Sequence, residues 1–574
     1  MRIYLCLSIL MLVIFAICAK PANCRPLSFD PDGGKRPTVF FWLESSLKRV
    51  FLTSRPGTSS EMTIAAPRGG QVSFQACLRN ERASWMNTTC TVSGPQGVEA
   101  QVRRVDFVPV RFLTRYTGVS ELEGVKEGFL PGLVPDILYP SQTADVGNYQ
   151  TAPFWVTVRV PADAKPGKHR LTVTFESKEE PTRVEMPVTL DVSSFVVRPR
   201  RDFRVTHWWN ADLFYTYYKT GMFEDEKLWD IMRNYVQNMV DHGNDTLYVP
   251  IFFFRREIYQ RPPQLLIVNE PSPGKYEFDF KNVSRFLKLA RECGATHFEW
   301  SHLWIYWGAR NPMVIYKWVD GKAVPLWPVD TDGHGEVYHN FLRQFLPAFH
   351  DFLVKEKALD QSFFHLSDEP GEGEHLENYR KARAFLREAA PWMKVMDALS
   401  NIEYGRQKLS DIPIPDVASA SAYVKEGIPH WVYFCCGPVG PYLNRFMDTP
   451  LAKIRMSGWL FYRLGAQGFL HWGYNYWYKH CTQEIIDPFK VTDGGRWPLL
   501  PYGDTFVVYP GADKKPIDAL RWEVFYEGLQ DYALMQTLQI ERDARILAPV
   551  RNFKDFPREP NWIEMARRKL LAAR

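Results

Sequence analysis

Paired CxxC spacings are absent from the 574 residues, which excludes a zinc finger, zinc ribbon or similar cysteine-built metal framework. Low-complexity segments and runs of one charge are absent as well, so no disordered tail or solvated charge tract interrupts the chain. Lys and Arg number 70 against 65 Asp and Glu, and the net charge of +5 is spread without the basic stripe that a nucleic-acid partner requires. No apolar run reaches the ~20 residues that span a bilayer comfortably. What is present is globular: 45% apolar and 24% charged residues, with a length that predicts two to four domains at roughly 100–200 residues each.

The N-terminus reads Met1-Arg2, then an apolar run from Ile3 to Ala19, then Lys20-Pro21. This is the charge, hydrophobic region and break of a secretory signal, with small residues around Ala16-Ile17-Cys18 for cleavage. The expectation is an exported protein, periplasmic or extracellular, with residues 1–24 removed and no stable membrane span left. Of nine cysteines, Cys6 and Cys18 lie in the signal. The remaining seven include Cys77 and Cys90, which flank a short polar connection and are either a disulfide between strands or two small apolar residues in a core.

Between about Pro37 and Val197, short alternating runs such as Phe154–Val160 and His169–Phe175 are separated by Pro and Gly turns. The pattern predicts a β-sandwich over residues 25–198, with Pro161–Gly167 as a hairpin connection. After the basic joint at Arg198-Pro199-Arg200-Arg201, strand-like runs alternate with amphipathic helices. Eight such runs predict a (β/α)₈ TIM-type barrel over 199–545, the sixth strand being Val417–Ala422 and the insertion Gln264–Phe280 a hairpin. A C-terminal helical extension, 546–574, follows.

In such a barrel the chemistry sits at the C-terminal ends of the strands. The sharpest sequence there is Phe363-Phe-His-Leu-Ser-Asp-Glu-Pro370, in which an apolar strand ends in two adjacent carboxylates. Neighbouring like charges raise at least one pKa, and a carboxyl kept protonated near neutrality can protonate a glycosidic oxygen. Glu369 is the candidate acid and base; the alternative for the pair is the N-terminus of a helix. The seventh strand ends Phe434-Cys435-Cys436-Gly437 and offers no second carboxylate. Either Asp397 or Glu299 is then a nucleophile about 5 Å from Glu369, or the substrate's own 2-acetamido oxygen attacks while Asp368 orients that amide.

The rim supplies polar and aromatic candidates for sugar binding: Trp209, Asn210, Glu299, Trp304, His365, Tyr423, Trp472, Tyr474, Trp477 and Arg521. For the rings the competing role is core packing. For His365 it is a satisfied interior histidine, and for Arg521 with Glu523 a solvated, charge-paired helix face. His334 and His339 with Asp330 and Asp332 invite a metal, but they lie in a Gly-containing loop whose ligand geometry the sequence does not establish, and no metal and no cofactor is expected.

These residues resemble glycoside hydrolase family 123. The resemblance runs from about Arg201 to Gln536 through Asp368-Glu369, Phe469-Leu-His-Trp-Gly-Tyr-Asn-Tyr-Trp477, Gly503-Asp504, Tyr509-Pro-Gly511 and the Leu520–Asp531 segment. It implies a retaining exo-β-N-acetylgalactosaminidase working through an oxazolinium intermediate, with Asp368 as polariser of the acetamide and Glu369 as acid, then base. It also implies an N-terminal sandwich as accessory domain. Two other functions stay open: a glycosidase with Asp397 or Glu299 as nucleophile, and a non-catalytic carbohydrate-binding protein.

Overall fold

The computed structural model describes residues 27–29, 39–81, 85–177, 182–253 and 257–572. The expected signal, Cys6, Cys18 and Cys24 lie outside the described residues. The N-terminal part is two sheets face to face. One runs Leu27–Phe29, Val39–Ser45, Gly70–Asn80, Thr151–Val160, Glu99–Val110, Gly132–Tyr139. The other runs Met62–Arg68, Thr182–Val196, Gly167–Ser177, Trp85–Ser93, Thr143–Val146. Alternate residues fill the space between them, among them Phe74, Phe154, Val156, Leu171, Val173 and Met186, as the two-residue strand period requires.

Two local expectations change. Pro161–Gly167 joins strands of different sheets, because Thr151–Val160 pairs with Gly70–Asn80 and Glu99–Val110, while Gly167–Ser177 pairs with Thr182–Val196 and Trp85–Ser93. Cys77 and Cys90 are both buried and free. Cys90 faces the core between the sheets, whereas Cys77 packs with Trp42 and Val50, so no disulfide joins them.

The second part contains eight short parallel strands: β1 (Arg204–His207), β2 (Thr246–Val249), β3 (His297–Trp300), β4 (Ser362–Phe364), β5 (Met396–Ala398), β6 (Ile412–Ile414), β7 (Val432–Tyr433) and β8 (Gly468–His471). They form three sheets, β2-β3-β4, β5-β6 and β7-β8-β1. Parallel bridges Phe364↔Val395 and Asp416↔Tyr433 link these sheets. No ladder joins β1 to β2; there the Asp245 carboxylate accepts the Val205 N–H at 2.9 Å. A complete eight-stranded barrel ladder is therefore not formed among the described residues, the strands being only two to four residues long. The sixth strand is Ile412–Ile414 and not Val417–Ala422, because Ala420–Glu426 is helical. Pro413 and Pro415, which lack N–H donors, present their carbonyls to the N–H groups of Trp431, just before β7, and Tyr433 of β7. The expected hairpin insertion is present as Ile267–Ser272 paired with Lys275–Asp279.

The helix Leu520–Thr537 is buried around most of its circumference and joins the two parts. Arg521 pairs with Asp136 of the sandwich at 2.8 Å, and Arg103 of the sandwich pairs with Glu523 at 2.5 Å. Gln530 exchanges hydrogen bonds with the backbone of Gln71. Its Gly528 lies against Gly458 of the helix Ser457–Leu464, so closely that a Cβ on Gly458 would stand 1.7 Å from the Gly528 carbonyl oxygen. No helix among the described residues is long and apolar enough to cross a membrane. Gly458→Ala is expected to lower the unfolding free energy by about 3 kcal/mol, since neither backbone can yield; denaturant midpoints measure this, and an unchanged midpoint would contradict the crossing.

Candidate active site

The acids are placed by the chain that leaves β4. One residue beyond the strand, His365 turns inward; its Nδ1 bonds Asp397 of β5 at 2.9 Å and its Nε2 bonds Glu299 of β3 at 2.5 Å. The Asp397 carboxylate also accepts the Leu366 N–H at 3.1 Å and the Tyr379 hydroxyl at 2.7 Å. Glu299 accepts the Trp208 indole at 2.5 Å and the Thr206 hydroxyl. All three charged side chains are buried. Burial alone would lower the His365 pKa, but the hydrogen bonds and charges of the two carboxylates outweigh it and raise the value to about 10. At neutral pH the ring is an imidazolium clamped between two carboxylates.

Three residues further on, Asp368 and Glu369 reach the wall of a cavity of about 220 Å³. Asp368 is half-buried and Glu369 exposed. Loss of hydration, and next the Glu369 charge, push the Asp368 carboxyl well above the usual carboxylate range. The Tyr433 hydroxyl, at the end of β7, donates to Glu369 Oε1 at 2.6 Å. Glu369 adopts φ +44°, and Trp307, whose N–H donates to the Asp368 carbonyl at 2.8 Å, adopts φ +58°. For non-glycine residues such conformations cost on the order of 1–3 kcal/mol each and persist where the surroundings enforce them. The acid pair and an aromatic loop are thus locked to each other. Trp208, Tyr306, Trp307, Trp472 and Tyr476 give the cavity aromatic walls, and Cys435 with Cys436 closes the side where β7 ends. Trp307 is 57% exposed, the most open of these rings.

The expected binding residues divide sharply. Trp209, Asn210 and Trp472 line the cavity beside the acids, Trp472 holding Asp504 through its indole at 3.1 Å. Trp209 does so by an edge only, since it stacks between Phe214 and Phe286. The others lie outside the wall for identifiable reasons. Glu299 and His365 belong to the buried clamp. Trp304 is consumed by the core and bonds the Gly333 carbonyl. Tyr423 sits on the helix Ala420–Glu426 with its hydroxyl on the Leu399 and Asn401 carbonyls. Tyr474 bonds Asn238, and Trp477 bonds the Val508 carbonyl. Arg521 is fully buried at the domain joint, neither in the cavity nor on a solvated helix face. Sequence reasoning gave no role to Tyr433 or Trp307. Their signals were faint: a tyrosine on the strand beside the acids, and a Trp-Gly-Ala turn.

Asp397 and Glu299, the two candidate nucleophiles, are not cavity residues; both are spent on His365. His302, His365 and Asp397 offer atoms within 4.8 Å of one another, a spacing that suits a metal. Both nitrogens of His365 already face carboxylates, which suits an imidazolium and leaves no lone pair for an ion. His242, Asp518 and Glu523 form a second such group, where Arg103 already supplies the cation.

Two stability effects follow. Asp368 binds its proton more tightly folded than unfolded, so its contribution is intact below about pH 4 and becomes a penalty as pH rises through the folded value. Asp368→Asn is therefore expected to raise the melting temperature at pH 7.5 and barely move it at pH 4; equal shifts at both would contradict the burial. His365 has the same sign in a higher window: its pKa is also raised on folding, so its stabilisation is full below about pH 6.5 and is lost progressively as pH rises from there to about 10. His365→Asn is expected to cost about 3–5 kcal/mol at pH 5–6.5, as for any broken buried ion pair, and less as pH rises toward 10, read from chemical denaturation; a cost independent of pH would contradict the clamp.

Comparison with known proteins identifies the family. The family model described as glycoside hydrolase 123, catalytic domain, matches residues 208–538, and the glycoside hydrolase 123 N-terminal domain matches residues 49–177. Among solved structures, a family 123 glycoside hydrolase from Clostridium perfringens, studied for glycolipid glycan hydrolysis, superposes with a TM-score of 0.71. It is 16% identical, over 87% of this chain and 89% of that one, and so shows a shared fold. An endo-beta-1,4-mannanase from Thermotoga petrophila aligns over 59% of this chain and 78% of its own at 13% identity, with a TM-score of only 0.33. No curated protein sequence matches the chain. With the catalytic model spanning more than half of its length and its N-terminal companion in the expected place, the chain belongs to glycoside hydrolase family 123 and is a glycoside hydrolase.

Proposed function

We propose that the protein is a retaining exo-β-N-acetylhexosaminidase, with β-N-acetylgalactosaminides as its substrates, and that it works by substrate assistance. One observation carries this reading: the acid pair meets the cavity where β4 ends, while Asp397 and Glu299, the carboxylates proposed as nucleophiles, are locked on His365. The side of the cavity at the end of β7, where a nucleophile is expected in many barrel hydrolases, carries Cys435 and Cys436. The cavity is smaller than the roughly 300–1,000 Å³ of drug-sized clefts, which suits one terminal sugar ring. The eight parallel strands read as a (β/α)₈ barrel whose β1–β2 seam is closed by Asp245.

In this mechanism Asp368 accepts the N–H of the 2-acetamido group and turns its carbonyl oxygen toward the anomeric carbon. Glu369 protonates the leaving oxygen. The acetamide oxygen forms the new C–O bond as the glycosidic bond breaks, giving an oxazolinium whose positive charge lies against Asp368. Glu369 then takes a proton from water, which opens the ring with net retention. One proton on the pair suffices. The raised Asp368 pKa favours a proton there before substrate binds, and the amide N–H, by hydrogen-bonding the ionised form of Asp368, releases it for the leaving oxygen by way of Glu369. Tyr433 keeps Glu369 in place. The substrate is a glycan or glycoconjugate met outside the cell, the protein being exported through its N-terminal segment.

Glu369→Gln is expected to reduce kcat on glycosides with poor leaving groups by about 10²–10⁴-fold. Aryl β-glycosides with and without the 2-acetamido group provide the direct test. Turnover only of the acetamido compounds supports substrate assistance, and comparable turnover of the 2-hydroxy compounds would overturn it.

A further inference from the structure

Arg445 is 1% exposed, and none of its three guanidinium nitrogens has a hydrogen-bond partner. Its neighbours are rings: its Cζ lies 5.0 Å from the Phe525 centroid, 5.6 Å from Trp522 and 5.9 Å from Phe434. Ring faces attract a cation but do not accept its N–H groups as oxygen does. Arginine keeps its proton inside proteins, and an isolated buried charge is costly enough that proteins pair it. Each candidate partner is already committed or falls short. Arg521, whose guanidinium donates to the Arg445 carbonyl at 2.9 Å, is itself a cation neutralised by Asp136.

The imidazoles of His207 and His471 stand 5.7 Å apart on β1 and β8, beside the same rings, and neither Nε2 has a partner. Burial and the nearby Arg445 charge push both pKa values well down, so both rings are neutral. The Gly473 N–H donates to His471 Nδ1 at 3.0 Å, which puts the ring proton on Nε2 as an unused donor. Asp504 is the nearest carboxylate; its Oδ1 lies 3.7 Å from His471 Nε2, beyond hydrogen-bond distance, and is also unpartnered. Burial pushes Asp504 up to about 7, so near neutrality it offsets only part of one positive charge.

The Arg445 guanidinium, buried, charged and without an acceptor at hydrogen-bond distance, defines a site for an anion. We propose that Arg445 holds a small monovalent anion of the halide class, such as chloride, in the interior between β1, β7 and β8, with His471 Nε2–H as a second donor. Arg445, His207 and His471 are not among the residues lining the sugar cavity, whose wall residue Trp472 bonds Asp504 through its indole. Its occupancy is independent of which glycoside is cleaved.

The probe is the halide itself, with the full chain. Melting temperatures are compared in sodium gluconate, chloride and bromide at constant ionic strength and pH 7. Wild type is expected to gain about 2 °C or more at 100 mM halide, and Arg445→Gln to gain nothing. Bromide-soaked crystals are expected to show an anomalous peak within hydrogen-bonding reach of the Arg445 guanidinium. Equal melting temperatures in all three salts, or an anomalous map with no peak and only water at Arg445, would overturn the proposal. Should Arg445→Gln fail to fold, the wild-type salt series and the anomalous map still decide.

Discussion

The imidazolium of His365 between Asp397 and Glu299 is the interaction on which the site depends. It ties β3, β4 and β5 together below the cavity, and the same Asp397 carboxylate holds the backbone of Leu366. The next residues in the chain, Ser367, Asp368 and Glu369, therefore leave the strand from a fixed point. Charge explains why the clamp is worth its desolvation. One cation faces two carboxylates that also receive hydrogen bonds from Tyr379, Trp208 and Leu366, so no partner is left half satisfied. A fixed base lets Glu369 and Trp307 hold strained backbone conformations that a looser loop would relax.

The same economy is repeated at the domain joint. The helix Leu520–Thr537 carries Arg521, Glu523, Gln530 and Asp531, and these side chains find partners in Asp136, Arg103, Gln71, Arg455 and Arg567. The sandwich is thereby part of the structure that supports β8 and its following loop. Trp472 on that loop reaches the cavity and bonds Asp504, whose charge in turn acts on Arg445. Among the described residues, the buried charges at the domain joint are paired by protein partners, whereas none of the three guanidinium nitrogens of Arg445 has one.

What was legible in the sequence is what local pattern encodes. Alternation gave the sandwich, the change of period gave the helix-containing second part, and a strand running into Asp368-Glu369-Pro370 gave the acid pair. Burial of a polar side chain was not legible, because it is decided by partners far away in sequence. His365 and Glu299 are 66 residues apart, and Arg521 and Asp136 are 385 apart. Strand ends announce residues near the rim without saying whether each points into the cavity or into the wall, which is why Trp304, Tyr474 and Trp477 proved to be core while Trp472 did not. Trp307 depends on a left-handed turn, and Tyr433 on a strand of two residues; neither leaves a periodic trace.

The central claim is that Asp368 handles the acetamide of the substrate while no side chain attacks the sugar. A thiazoline-fused N-acetylhexosamine, a stable mimic of the cyclised intermediate, tests it most directly by inhibition kinetics and by the structure of its complex. The account predicts competitive inhibition far tighter than by the free sugar, with the ring nitrogen on Asp368, and loss of that advantage in Asp368→Asn. Binding no better than the free sugar, or a thiazoline lodged away from Asp368, would contradict it.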